Sequence, residues 1–237
     1  MSPLQDLVLA NRILANEGVL DAFGHASLRH PDNPEHFVIP RSLGPELVTQ
    51  DDLQTFTVAT NERVAGHPAA PYAERAIHAA IYAARPDVLA VCHNHSPSVI
   101  PFGVTGVPLR PLFHMAGLLG TQVPVWDPAD EFGDTDLLVR SLDQGRSLAR
   151  ALGARRVVLM RGHGAAVAGG GLREVVMACV YMEHNARLQL QALSLGQPVR
   201  YLSDAEIEAT WRWQLSDFAL DRAWGTWAHR VARGAQA

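Results

Sequence analysis

Val88-Leu89-Ala90-Val91-Cys92-His93-Asn94-His95-Ser96-Pro97 is the stretch on which the reading turns. An apolar run of this length, closed by proline, predicts a buried strand over 88–95. Side chains alternate across a strand, so His93 and His95 share one face and Asn94 takes the other. Their backbones stand roughly 7 Å apart, close enough for both imidazoles to reach one ion. A lone His-x-His at a strand end is ordinarily no more than a hydrogen-bonded strand terminus. The weight here comes from what accompanies it.

Downstream, Arg161-Gly162-His163-Gly164 follows a predicted strand at 156–160 and precedes a partner strand at 165–168. Glycines on both sides of His163 permit a sharp turn and close backbone approach. Three neutral imidazoles with open positions fit a catalytic metal site, because structural sites are closed and usually cysteine-rich. Upstream, Glu74 opens a predicted helix over 73–84 that feeds the His93 strand. A carboxylate there would stabilise the first helical turn in any case. Beside an ion it is also a candidate general acid/base, with His78 one turn on as a buttress to Glu74 or to the core.

Further outward, periodicity predicts helices over 4–16, 134–152 (one or two), 172–195 and 203–214. A hairpin of strands is expected at 26–29 and 37–40, with further strands at 56–58 and 123–125. The order gives one α/β domain over 1–237: three α/β/α layers around a central, mainly antiparallel sheet. Residues 198–237 read as a C-terminal helical segment whose Trp211, Trp213, Trp224 and Trp227 dock on a neighbouring subunit. Glu183, Asn185 and Arg187 read as polar residues of a helix face or interface.

Composition bounds the rest. The 237 residues are 48% hydrophobic and 19% charged, with a net charge of −4, which gives no sign of a nucleic-acid or membrane partner. No run nears the roughly 18 apolar residues of a membrane span. The first residues lack a basic-then-apolar leader pattern, and Cys92 and Cys179 sit in apolar surroundings outside any CxxC. A cytoplasmic protein with buried free thiols is expected.

The blocks Ala73-Glu74…His78…Ile81-Tyr82, His93-Asn94-His95-Ser96 and Arg161-Gly162-His163-Gly164, followed by a long helix, resemble the class II aldolase/adducin family over about residues 4–197. The resemblance implies an α/β/α domain, usually in a C4 homotetramer with sites between subunits. It also implies one divalent ion per subunit on His93, His95 and His163, with zinc first and manganese, cobalt or iron as alternatives, and Glu74 as acid/base. The family includes sugar-phosphate aldolases, an epimerase, a dehydratase, decarboxylases and the non-catalytic adducin heads, which lack the metal histidines kept here.

Departures from the sugar-phosphate members are informative. The early Asn is replaced by His25 in Gly24-His25-Ala26-Ser27, Arg41-Ser42 stands in the second block, and Tyr72 replaces serine before Glu74. A phosphate cradle without hydroxyls is poorly built. His25, Ser27, Arg41, Ser42 and Tyr72 are therefore candidates to hold a small non-phosphorylated substrate. Arg41 is suited to a carboxylate, Tyr72 to packing on a flat ring, and His114 matches a proton-donating position aimed at the adjacent subunit. Gly-His-x-Ser, Pro-Tyr-x-Glu and His-Met-Ala-Gly together resemble the aromatic-acid decarboxylases of the 3,4-dihydroxyphthalate type. The expected activity is metal-dependent decarboxylation of a hydroxylated aromatic carboxylate. Aldol cleavage of a non-phosphorylated 2-keto or aldehyde substrate is the alternative, and an iron oxygenase or a metal-free scaffold follow behind.

Overall fold

The computed structural model describes residues 2–234. The chain runs through α1 (Pro3–Asn16), β1 (His25–Arg29), β2 (His36–Pro40), β3 (Leu53–Thr57), β4 (Arg63–Gly66), α2 (Arg75–Ala84), β5 (Ala90–Asn94), α3 (Ile100–Val104), β6 (Val125–Trp126), α4 (Ala129–Phe132), α5 (Leu142–Leu152), β7 (Val157–Met160), β8 (Gly164–Gly169), α6 (Leu172–Ser194), α7 (Asp204–Gln214) and α8 (Asp217–Gly234). The strands form one sheet in the order β4-β3-β2-β1-β5-β8-β7-β6, antiparallel everywhere except between β6 and β7.

The decisive stretch is central in this sheet. β5 lies between β1 and β8, with His25 opposite His93 and Cys92 opposite Val167. Its alternation splits the core. Ala90 and Cys92 join α1, α6 and α8 on one face. Val91 joins α2 and α5 on the other. Both faces are thus covered, which is why the strand reads as an unbroken apolar run. The expected three-layer α/β/α architecture is what the chain adopts.

Three expectations need correction. The segment predicted as helix over 134–152 is helical only from Leu142. The preceding residues form a loop in which Leu137 has φ 65°, and the loop's backbone groups are used to hold site side chains, as described below. α8 is a separate, full helix, and it packs on α1 and α6 of its own chain. Trp224 and Trp227 are consequently buried in that chain's core, whereas Trp213 stays half exposed. Finally, Asn185 serves inside the chain: it accepts from the Leu112 N–H and donates to the Arg110 carbonyl, fastening a loop to α6. Cys92 and Cys179 are buried and unbridged.

Candidate metal centre

β5 ends at Asn94, so His93 is in the strand and His95 just beyond it. His163 arrives from the turn between β7 and β8. That turn requires its glycines: Gly162 has φ 64°, and a Cβ on Gly164 would lie 2.0 Å from the Asn94 carbonyl oxygen. Glu74 arrives from the N-terminal end of α2, where its side chain makes no capping bond to the helix. Its carboxylate turns to the histidines instead.

The four side chains converge. His95 Nε2 is 3.1 Å from His93 Nε2 and 3.1 Å from His163 Nε2. Glu74 Oε2 is 3.4 Å from the Nε2 of both His93 and His163. One donor atom from each of the four lies within 4.8 Å of all the others. The outward nitrogens explain the aim. His93 Nδ1 meets the Ala165 carbonyl at 3.1 Å, and His163 Nδ1 meets the Leu137 carbonyl at 2.9 Å. His95 Nδ1 meets the Asp21 carboxylate at 3.0 and 3.1 Å. Each acceptor holds a proton on Nδ1, which leaves three Nε2 lone pairs facing one point.

That arrangement fits a divalent cation. Nitrogen ligands at roughly 2.0–2.1 Å around a tetrahedral zinc are about 3.3 Å apart, and the observed separations are close to this. In the protein without an ion, burial pushes the Glu74 carboxyl up, but His163 and His93, when they also carry a proton on the Nε2 that faces it, outweigh burial and hold the group well below its ordinary range. The second carboxylate oxygen accepts the Val139 N–H at 2.9 Å. The loop expected to be helix therefore supplies both Val139 to Glu74 and Leu137 to His163.

Beside the cluster runs a buried polar chain. The Tyr82 hydroxyl is 2.8 Å from Ser27 Oγ, which is 2.6 Å from His78 Nδ1, and His78 Nε2 is 2.8 Å from His25 Nδ1. The His25 ring lies 5.4 Å from that of His93 and 4.1 Å from that of Tyr72. Burial, followed by the neighbouring His93, lowers the His78 pKa to about 3, so this imidazole is neutral.

The substrate candidates from the sequence therefore divide. His25 stands next to the cluster. Ser27 is fully buried, with its hydroxyl against His78 and Tyr82. Tyr72 is buried behind His25 and donates to the Leu43 carbonyl. Arg41 is tied to Asp52 at 2.6 Å. Ser42 is exposed, its N–H bonded to the Ala70 carbonyl. His114 is exposed on the 3-10 turn His114–Leu119 and makes no hydrogen bond or ring contact with the cluster, so one chain does not bring it to the site. Asp21 was missed in the sequence, because nothing local links it to a histidine 74 positions away.

Sheet, helices and donor set define a class: an α/β/α domain with three histidines and a carboxylate gathered at the end of its central strands. The chain belongs to the class II aldolase and adducin family, whose N-terminal domain description matches residues 5–190. It is 35% identical to the decarboxylase tropJ of Talaromyces stipitatus over 98% of this chain and 95% of that protein. It is 31% identical to the 3,4-dihydroxyphthalate decarboxylase of Arthrobacter keyseri over 96% of this chain and 92% of that one. In fold it resembles the crystal structure of an aldolase II superfamily protein from Pseudomonas syringae, with a TM-score of 0.81 at 22% identity over 98% and 92% of the two chains.

Proposed function

We propose that this chain is a metal-dependent lyase that decarboxylates a hydroxylated aromatic carboxylate. The observation that carries the reading is the convergence of three Nε2 lone pairs on Glu74, each imidazole fixed by an acceptor at its Nδ1. The names of the relatives supply the reaction type. A divalent ion on His93, His95 and His163, zinc first, would supply a Lewis acid that favours the charge developed as the carbon–carbon bond breaks.

Glu74 does the proton work. Its carboxylate is ionised in the free site, so it can accept a phenolic proton as substrate enters. It then returns that proton to the ring carbon that loses carbon dioxide, and the balance closes with no other reactant. His25 faces the substrate's oxygens beside His93. Arg41 is a carboxylate grip only if its terminal nitrogens remain free while Asp52 holds Nε. His114 acts as a donor only across an interface, in the homotetramer that the family resemblance implies.

The experiment is a screen of dihydroxybenzoates and dihydroxyphthalates with metal-reconstituted protein, following carbon dioxide and aldehyde separately. Carbon dioxide release supports decarboxylation. Release of an aldehyde from 2-keto substrates, with no carbon dioxide, would replace it by aldol cleavage.

A further inference from the structure

The polar chain Tyr82–Ser27–His78–His25 has a direction. Tyr82 and Ser27 are buried, and Ser27 is the one acceptor for the Tyr82 hydroxyl among the described side chains. Were Ser27 to donate to Tyr82, the phenol proton would be left buried without a partner, which is costly. The backbone hydrogen bond from Val91 favours the ionised phenol; it is a donor's contact and gives that proton no other home. Tyr82 therefore donates to Ser27. Ser27 has one proton and gives it to His78 Nδ1, 2.6 Å away. A neutral imidazole that accepts at Nδ1 carries its proton on Nε2. His78 Nε2 accordingly donates to His25 Nδ1 at 2.8 Å. By the same rule His25 is left with its proton on Nε2, which has no hydrogen-bond partner among the described residues.

We infer that Tyr82, Ser27 and His78 are positioning residues that lock His25 as a neutral Nε2–H donor, and that this N–H binds an anionic or carbonyl oxygen of the substrate beside His93. The inference rests on the decarboxylase reading for the substrate, but the order of protons does not. Burial supports the neutral state of His78, whose pKa it lowers to about 3, and the His78 Nε2–H leaves His25 Nδ1 only the acceptor's role. A donor that cannot accept discriminates in favour of carboxylate or phenolate oxygen, and it is already in place when charge develops.

Neutron diffraction from deuterium-exchanged crystals of the zinc-loaded protein reads the order directly. The expected map carries deuterium on His78 Nε2 and His25 Nε2 and none on either Nδ1. A deuteron on His25 Nδ1 overturns the inference. Kinetics give the second readout. His78→Gln, whose amide can donate where Nε2–H did, keeps kcat within about threefold, whereas His78→Leu lowers kcat roughly 10- to 100-fold with KM moved less and bound zinc unchanged. Equal kcat in the two variants overturns the positioning role. The expected map with no carbon dioxide release would refute the decarboxylase reading alone, and carbon dioxide release with deuterium on His25 Nδ1 would refute the relay alone.

Discussion

Replacing Asp21 by Asn tests whether the supports of the cluster matter as much as its ligands. Asp21 accepts the N–H groups of Phe23 and Gly24 at 2.9 Å each and faces His95 Nδ1 through both oxygens. Burial pushes its carboxyl up, but the Phe23 bond, the His95 contact and the Gly24 bond bring it below its ordinary range. Asn keeps one acceptor. If the two backbone N–H groups retain that oxygen, the amide N–H₂ is turned to His95 Nδ1–H, and two donors meet. His95 Nδ1 then loses its 3.0 Å partner and keeps only the 3.1 Å contact to an oxygen already shared by two backbone N–H groups, which weakens the bond that fixes its tautomer and its aim. Loss of such a support typically costs 10- to 100-fold in metal affinity, about 1.4–2.8 kcal/mol. The Asp21 side chain is 48% exposed, so water can replace part of the lost interaction and the lower end is expected, about tenfold. Competition for zinc against a chelator of known affinity at pH 7.5 measures this. Unchanged affinity would refute the argument that Nδ1 acceptors set the geometry of the centre.

Three other outcomes follow from the same geometry. Glu74→Gln retains the three imidazoles and should keep its metal while kcat falls about 10²- to 10⁴-fold; full activity in a metal-loaded variant would remove Glu74 from the mechanism. Arg29 donates to the carbonyls of Val88, Pro34, Tyr82 and Arg85, so Arg29→Met orphans buried acceptors and should cost about 3 kcal/mol in urea unfolding, and a loss under about 1 kcal/mol would contradict this. The metal-free protein should lose stability as pH falls from 6.5 towards 5. His25, His78 and His95 have lowered values in the fold while His163 alone is raised. The unfolded chain therefore binds more protons there, and stability rises with pH. A net uptake of one proton or more gives a slope above about 1 kcal/mol per unit, read from urea midpoints at pH 5.5 and 6.5, and a flat or inverted profile would contradict the neutral buried imidazoles.

Much of this was legible in the sequence, for identifiable reasons. The run from Val88 to His95 is apolar on both faces, so both its centrality and the shared face of His93 and His95 follow from alternation alone. Gly162 and Gly164 announced a tight approach, and the structure shows which atom demands it, the Asn94 carbonyl. The loop before α5 was read as helix because its spacing is helical. Local propensity lost there to tertiary bonds from Leu137 and Val139 into the site. Asp21 and the direction of the Tyr82 chain were invisible because they depend on pairings between elements, among them the β1–β5 register. Ser27 is a substrate candidate by its place in a motif, and its burial against His78 was not legible there.

The most direct test of the centre is metal stoichiometry on protein purified without chelator and measured by mass spectrometry of the released ion. One divalent ion per wild-type chain is expected, and less than about a tenth in His93→Ala and His163→Ala at unchanged fold by circular dichroism. Full occupancy in either variant, or a wild-type protein that takes up no zinc, manganese, cobalt or iron on reconstitution, would contradict it.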